Sequence, residues 1–167
     1  IEHHRKAGVL GMSKNNLEIY GYPRYDRARD LAEDRTDAIL PDRTRAVLAD
    51  SETTKVLYAP THKDGTFETT LFPFPDFNHD NLIEFLSEND IQIYLRMHVY
   101  EEEKGISDEY IDGEHILYAG NNFSHSGIEM MPYLDAVITD YSSIYLDFVL
   151  FDKPILFVKD KIEQYKN

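Results

Sequence analysis

The 167-residue sequence has no cysteine, which excludes disulfides, thiolate metal sites and a cysteine nucleophile. No apolar run approaches the ~20 residues needed to span a bilayer, and no signal peptide is visible. Neither a P-loop nor a G-x-G-x-x-G motif occurs, which argues against P-loop NTPases and the usual dinucleotide fingerprint. H-E-x-x-H, Asp-x-Asp and C-x-x-C are missing too, and His3, His4, His79, His115 and His125 fall at no ligand spacing. No metal or other cofactor is therefore expected. Positive charge is also scarce: 17 Lys and Arg face 31 Asp and Glu, a formal net charge of -14. Such a field repels nucleic acid and anionic headgroups at long range. Screening confines the repulsion to about 8–10 Å at physiological salt, so a local basic spot can still hold a small phosphorylated ligand.

The residues that are present suit a folded protein. Hydrophobic residues make up 42% and aromatic residues 13%, with 12 Tyr and 9 Phe. The length accommodates one core plus an attached segment. Residues 53–167 read as a Rossmann-like domain, and residues 1–52 as a polar lead-in that packs on it. The sequence begins Ile1-Glu2-His3-His4 without an initiator Met and stops at Asn167 without an evident ending. It reads as a fragment of a larger cytoplasmic protein.

Within the lead-in, Leu17–Tyr20 suggests a short strand before a Gly21-Tyr22-Pro23 turn. Ala28–Ala32 and Arg43–Ala49 suggest helices, with no apolar face broad enough for a separate core. Strands are expected at Lys55–Ala59, Ile91–Arg96, His115–Ala119, Ala136–Thr139 and Ile155–Val158. Residues 66–78 form an aromatic, proline-interrupted loop. Asn81–Asn89 reads as an amphipathic helix capped by Asp80 or Asn81, with Glu84 as a capping-box acid. An acidic helix or loop covers Glu101–Tyr110, and short helices are expected at Ile128–Leu134 and Ser143–Phe151. This alternation predicts an α/β fold: a doubly wound parallel sheet with right-handed crossovers.

The run from Ala136 to Val158 carries the most information. It reads as a buried strand, a polar turn at Thr139-Asp140-Tyr141-Ser142-Ser143, an apolar helix and a second buried strand. In an open parallel sheet such turns line the ligand crevice, where helix starts offer amides to an anion. Thr61-His62-Lys63, Arg96 with His98, and Gly120-Asn121-Asn122 come after the other strands and would share that edge. Ser142 or Ser143 either caps the helix through its hydroxyl or leaves amides and hydroxyls for a phosphate. Asp140 orients a backbone turn more readily than it touches phosphate. His98 fits either a proton donor to a leaving phosphate or a histidine satisfied by backbone. Arg96 fits a forked phosphate contact or a salt bridge, for instance to Glu101. Asp147, inside the apolar helix, needs a partner if buried.

Five motifs in order carry a family resemblance: Gly21-Tyr-Pro-Arg-Tyr-Asp26, Leu57-Tyr-Ala-Pro-Thr61, Leu95-Arg-Met-His98, Ile138-Thr-Asp-Tyr-Ser-Ser-Ile144 and Asp152-Lys-Pro-Ile155. Together they resemble the CDP-glycerol glycerophosphotransferases that build teichoic-acid-type polymers. The resemblance implies a GT-B architecture of two Rossmann-like domains, with this chain corresponding to the C-terminal, donor-binding one. It implies that the donor diphosphate sits at Ser142 and Ser143, and that His98 is catalytic. Thr61, His62, Arg96, Gly120, Thr139 and Asp140 complete the expected donor-binding set. Two positions depart from the family pattern: His62 replaces an aromatic residue, and Val99 replaces a proline. The implied partners are a CDP-linked polyol donor and a polymer or lipid-linked acceptor held by an N-terminal domain absent from this sequence. The implied setting is the cytoplasm, peripherally at the inner membrane face through segments outside this sequence. A GT-B glycosyltransferase using a nucleotide sugar, or a non-catalytic phosphate-binding module, would present much the same residues.

Overall fold

Short aliphatic and aromatic runs become the strands of a five-stranded sheet in the computed structural model, which describes residues 21–61, 71–98 and 108–159. The strands are β1 (Thr54–Ala59), β2 (Ile91–Leu95), β3 (Ile116–Tyr118), β4 (Ala136–Thr139) and β5 (Ile155–Phe157). Their order is β3-β2-β1-β4-β5, and every pairing is parallel. Val56 lies opposite both Ile93 and Ala136, and Tyr58 opposite both Leu95 and Ile138. All strand carboxyl ends therefore meet on one edge. The chain winds outward from β1 through β2 to β3, then returns to β4 on the other side of β1. That reversal makes the β1/β4 boundary the topological switch point, the place where open α/β sheets bind ligands.

Side-chain alternation along the strands feeds two cores. Leu57, Ala59, Tyr94 and Val137 face one side, where they meet α1 (Pro23–Ala32), α2 (Asp42–Leu48), α4 (Gly127–Met130) and α5 (Ile144–Phe148). Tyr58, Ile93, Leu95 and Ile116 face the other side, where α3 (His79–Glu88) contributes Leu86. The α/β doubly wound architecture expected from the alternation is the observed fold. Among the described residues, no helix is long and apolar enough to cross a membrane.

Several local expectations are corrected. Helix α3 starts earlier than the pattern suggests. Its cap is Asn78, whose side-chain oxygen accepts the Asn81 amide at 2.9 Å, rather than Asp80 or Asn81. Helix α1 begins at Pro23, five residues before Ala28, because proline fits the first helical position, where no intrahelical N–H is needed. Gly21, with φ of +83°, still marks the entry to that helix. Helix α5 loosens into a 3-10 turn over Val149–Phe151 and ends at Asp152 in the left-handed region, φ 51°. The composition of β5 predicts burial, but Leu156 is 50% and Phe157 59% exposed. It is the edge strand of the described sheet, so only one flank is covered. Lys153 braces it from behind: its ammonium donates to the carbonyls of Pro132, at 2.9 Å, and of Leu134. The expected strand at 17–20, residues 66–70 of the aromatic loop and the acidic stretch at 101–107 lie outside the described residues.

Candidate functional site

The carboxyl edge is assembled around the end of β1. Thr61, two residues past that strand, donates both its amide (2.8 Å) and its hydroxyl to Asp140 Oδ1. The same oxygen accepts the Tyr141 amide at 2.6 Å. One carboxylate thus latches the end of β1 to the turn after β4, across the switch point. Asp140 acts on backbone here, in keeping with the repulsion between a carboxylate and a phosphate. Thr139 lies just beneath, fully buried, with its hydroxyl donated to the Ala59 carbonyl at 2.6 Å. Its side chain supports the edge from below.

On the β2 side, Arg96 Nη1 donates to the carbonyls of Ala119 (2.8 Å) and Ser124 (2.9 Å). Its guanidinium ties the end of β2 to the loop after β3. The same loop closes on itself: the Gly120 carbonyl accepts the Phe123 and Ser124 amides, and the Ser124 hydroxyl donates to the Ser126 carbonyl. Gly120 is buried, and a Cβ there would lie 2.7 Å from the Tyr118 ring. A side chain at that position would have to displace the Tyr118 ring. Gly127, the first residue of α4, packs so tightly that a Cβ would be 3.3 Å from Ile144 and 3.6 Å from Arg96. The beginnings of α4 and α5 and the end of β2 therefore converge.

Ser142 is partly exposed and Ser143 exposed. Ser143 occupies the N-cap position of α5 without a side-chain capping bond, so capping does not use its hydroxyl. Of the two readings open to the serine pair, a hydroxyl cap is not the one Ser143 adopts: its backbone has φ of -66° and ψ of -5°, not the extended conformation from which a cap side chain reaches back. His98 is exposed, three residues beyond β2. The structure brings Thr61, Arg96, His98, Gly120, Thr139, Asp140, Ser142 and Ser143 to one rim. His62 lies outside the described residues.

Behind the rim lies a second layer, of which the sequence flags Asp147 but not its partner. Asp147 on α5 is 1% exposed and accepts Arg24 Nη2 from α1 at 2.6 Å. Burial pushes its carboxyl up, and Arg24 offsets this only in part. Glu129 on α4 is gripped by Arg27 through Nε at 2.8 Å and Nη2 at 2.7 Å, and accepts the Ile39 amide at 2.6 Å. Burial raises the Glu129 pKa, but the Arg27 fork and that amide outweigh it, holding the carboxyl below the usual glutamate range. The signal that could have revealed these ties is spacing: Arg24, Arg27, Ala28 and Leu31 fall at i, i+3, i+4 and i+7, one helix face.

Comparison with known proteins places this arrangement. Residues 5–167 match the family described as CDP-Glycerol:Poly(glycerophosphate) glycerophosphotransferase. The teichoic acid poly(glycerol phosphate) polymerase of Bacillus spizizenii is 34% identical over 116 residues, covering 67% of this chain and 28% of the relative. The teichoic acid ribitol-phosphate polymerase TarK of Staphylococcus aureus is 23% identical over 165 residues, covering 95% and 30%. The solved structure of the wall teichoic acid polymerase TagF superposes with a TM-score of 0.66 at 28% identity, covering 93% of this chain and 36% of that one. A TagF variant has also been solved after a CDPG soak. The chain thus spans about a third of the length of the proteins it resembles, and its sheet is of the GT-B-like class found in TagF.

Proposed function

Given that this chain belongs to the CDP-glycerol:poly(glycerophosphate) glycerophosphotransferase family, we propose that it is the donor-binding part of a teichoic-acid-type transferase. The donor is CDP-glycerol or a related CDP-polyol, and CMP is released. An acceptor hydroxyl oxygen attacks the donor's β-phosphorus. The new P–O bond forms as the bond to the bridging oxygen breaks, and its electron pair leaves with CMP. The acceptor site, and the base that takes the acceptor's proton, belong in this reading to other parts of the full-length protein.

In this reading the roles follow from where the residues lie along the rim. Ser142 and Ser143 supply hydroxyls and the amides of their turn to the diphosphate, charge stabilisation that needs no rearrangement during reaction. His98 donates a proton, or a strong hydrogen bond, to the departing CMP phosphate. Thr61, Asp140 and Thr139 hold the turn's shape, and Arg96 and Gly120 hold the facing loop. His62, next to Thr61 in sequence, is a further donor contact. The proposed location is the cytoplasm, at the inner face of the membrane.

The observation that carries this reading is the strand order. β2 and β4 flank β1 and lie about 10 Å apart, two strand spacings, so the segments carrying His98 and the serine pair leave the sheet on opposite sides of the switch point. A diphosphate lying over the end of β1 would be within reach of both.

Calorimetric titration with CMP, CDP, CDP-glycerol and UDP-sugars tests the ligand, and CMP release from CDP-glycerol by the full-length protein tests the reaction. The expected outcome is preference for cytidine ligands, with His98→Ala lowering turnover at least about 10²-fold at unchanged melting temperature. Tighter binding of UDP-sugars, or full turnover by His98→Ala, overturns the assignment.

A further inference from the structure

The helices ahead of β1 touch two of the segments that build the rim, those after β3 and β4. Arg24 of α1 bonds Asp147 of α5, the helix after the serine turn. Arg27 of α1 bonds Glu129 of α4, the helix after the β3 loop. Thr44 of α2, 2% exposed, donates its hydroxyl to the Phe123 carbonyl within that loop at 2.6 Å. These three anchors reach the segments after β3 and after β4 from one short stretch of chain.

Packing alone did not require polar anchors. Ala28 and Leu31 already bury the inward face of α1 completely or nearly so, at 0% and 2% exposure. Asp147 is buried while the Arg24 side chain is 47% exposed, so screening at the arginine and the cost of burying the carboxylate leave the pair little net stabilisation. What an ion pair adds is direction. A charge-assisted hydrogen bond fixes separation and angle more tightly than an apolar contact. Asp147 sits four residues beyond Ser143 on a helix only five residues long. Any shift of Asp147 therefore moves the serine turn with it.

We propose that Arg24 is a positioning residue for the donor site. Through Asp147 it sets where the Ser142–Ser143 turn lies relative to the diphosphate, while Arg27–Glu129 and Thr44–Phe123 do the same for the facing loop. The proposal rests on the donor-binding reading above. It makes the stretch before β1 part of the site's frame.

The test compares Arg24→Met, Arg24→Lys and the double variant Arg24→Met with Asp147→Asn in the full-length protein. The double variant leaves a neutral amide where Arg24→Met alone strands a buried charge, a smaller penalty, so it keeps the test open where Arg24→Met alone fails to fold. Two quantities are read: the donor KM and kcat, and amide hydrogen exchange across residues 142–146 against Leu57 and Ile93 in the sheet. Positioning predicts a donor KM raised about tenfold in the double variant, with kcat less affected. It also predicts faster exchange at 142–146 with the sheet amides unchanged, and substantial recovery of both in Arg24→Lys. A double variant with wild-type KM and wild-type exchange at 142–146 overturns the proposal and leaves the pair a stabilising role alone. If the wild-type protein binds no cytidine ligand, the donor reading fails, and the exchange comparison by itself decides whether Arg24 holds the turn.

Discussion

Asp140 shows how one side chain can settle the geometry of a rim without meeting a ligand. Its Oδ1 gathers the Thr61 amide, the Thr61 hydroxyl and the Tyr141 amide, which come from both sides of the switch point. Removing it leaves two backbone donors and a hydroxyl to find water. For a partly buried group accepting charge-assisted bonds, that loss costs about 1–3 kcal/mol. Asp140→Ala should lower stability by that order in urea denaturation, and Asp140→Asn, which keeps an acceptor oxygen, by clearly less. Equal losses in the two variants would mean that the carboxylate's charge, not its acceptor geometry, sets the latch. From sequence alone Asp140 already reads as a turn-orienting residue, because a carboxylate cannot approach phosphate cheaply. Thr139 is less legible: an in-line threonine next to a ligand turn looks like a contact until its burial and its bond to Ala59 are seen.

Elements are legible where burial is symmetric and obscure where it is not. β1, β2 and β4 are flanked on both sides, so nearly continuous aliphatic runs announce them. β5 carries the same Ile-Leu-Phe composition yet lies at the edge, and hydrophobicity alone cannot tell an edge strand from a central one. Helix α1 reads too short from its sequence for the opposite reason. The N-terminal half of the face that Ala28 and Leu31 continue carries Arg24 and Arg27, whose carboxylate partners sit more than a hundred residues away, so the face is marked by spacing and not by apolar residues. The pattern of α3 reveals the helix but not its cap, since Asn78, Asp80 and Asn81 are all good cap residues and only the bond from the Asn81 amide to Asn78 decides among them. That bond is testable. Asn78→Ala should destabilise the protein by about 1 kcal/mol, and Asn78→Asp should be close to neutral. A comparable loss from Asn81→Ala, with none from Asn78→Ala, would restore the later start.

Across the whole molecule, the two buried acids that tie α1 to the site respond to pH in opposite directions. Glu129 is held below the usual glutamate range, so the unfolded chain takes up its proton first as pH falls. Its contribution to stability is complete above the ordinary glutamate value and is lost as pH drops through the folded value. Asp147 is pushed up by burial, so the folded protein takes up that proton first. Its contribution is greatest below the ordinary aspartate value and fades as pH rises through the folded value. In the wild type the two slopes partly cancel, against the background of a chain carrying -14 whose self-repulsion also eases as carboxylates protonate. Single variants separate them. Measured by urea denaturation from about pH 3 to 7, where carboxylates titrate, Glu129→Gln should lose ground to the wild type progressively as pH rises. Asp147→Asn should gain on it over the same range. Stability curves that run parallel to the wild type in both variants would mean that neither carboxyl changes its proton affinity on folding. The ion pairs from α1 would then be exposed to water more than their burial indicates, and a frame built on Arg24 would have little hold on the serine turn.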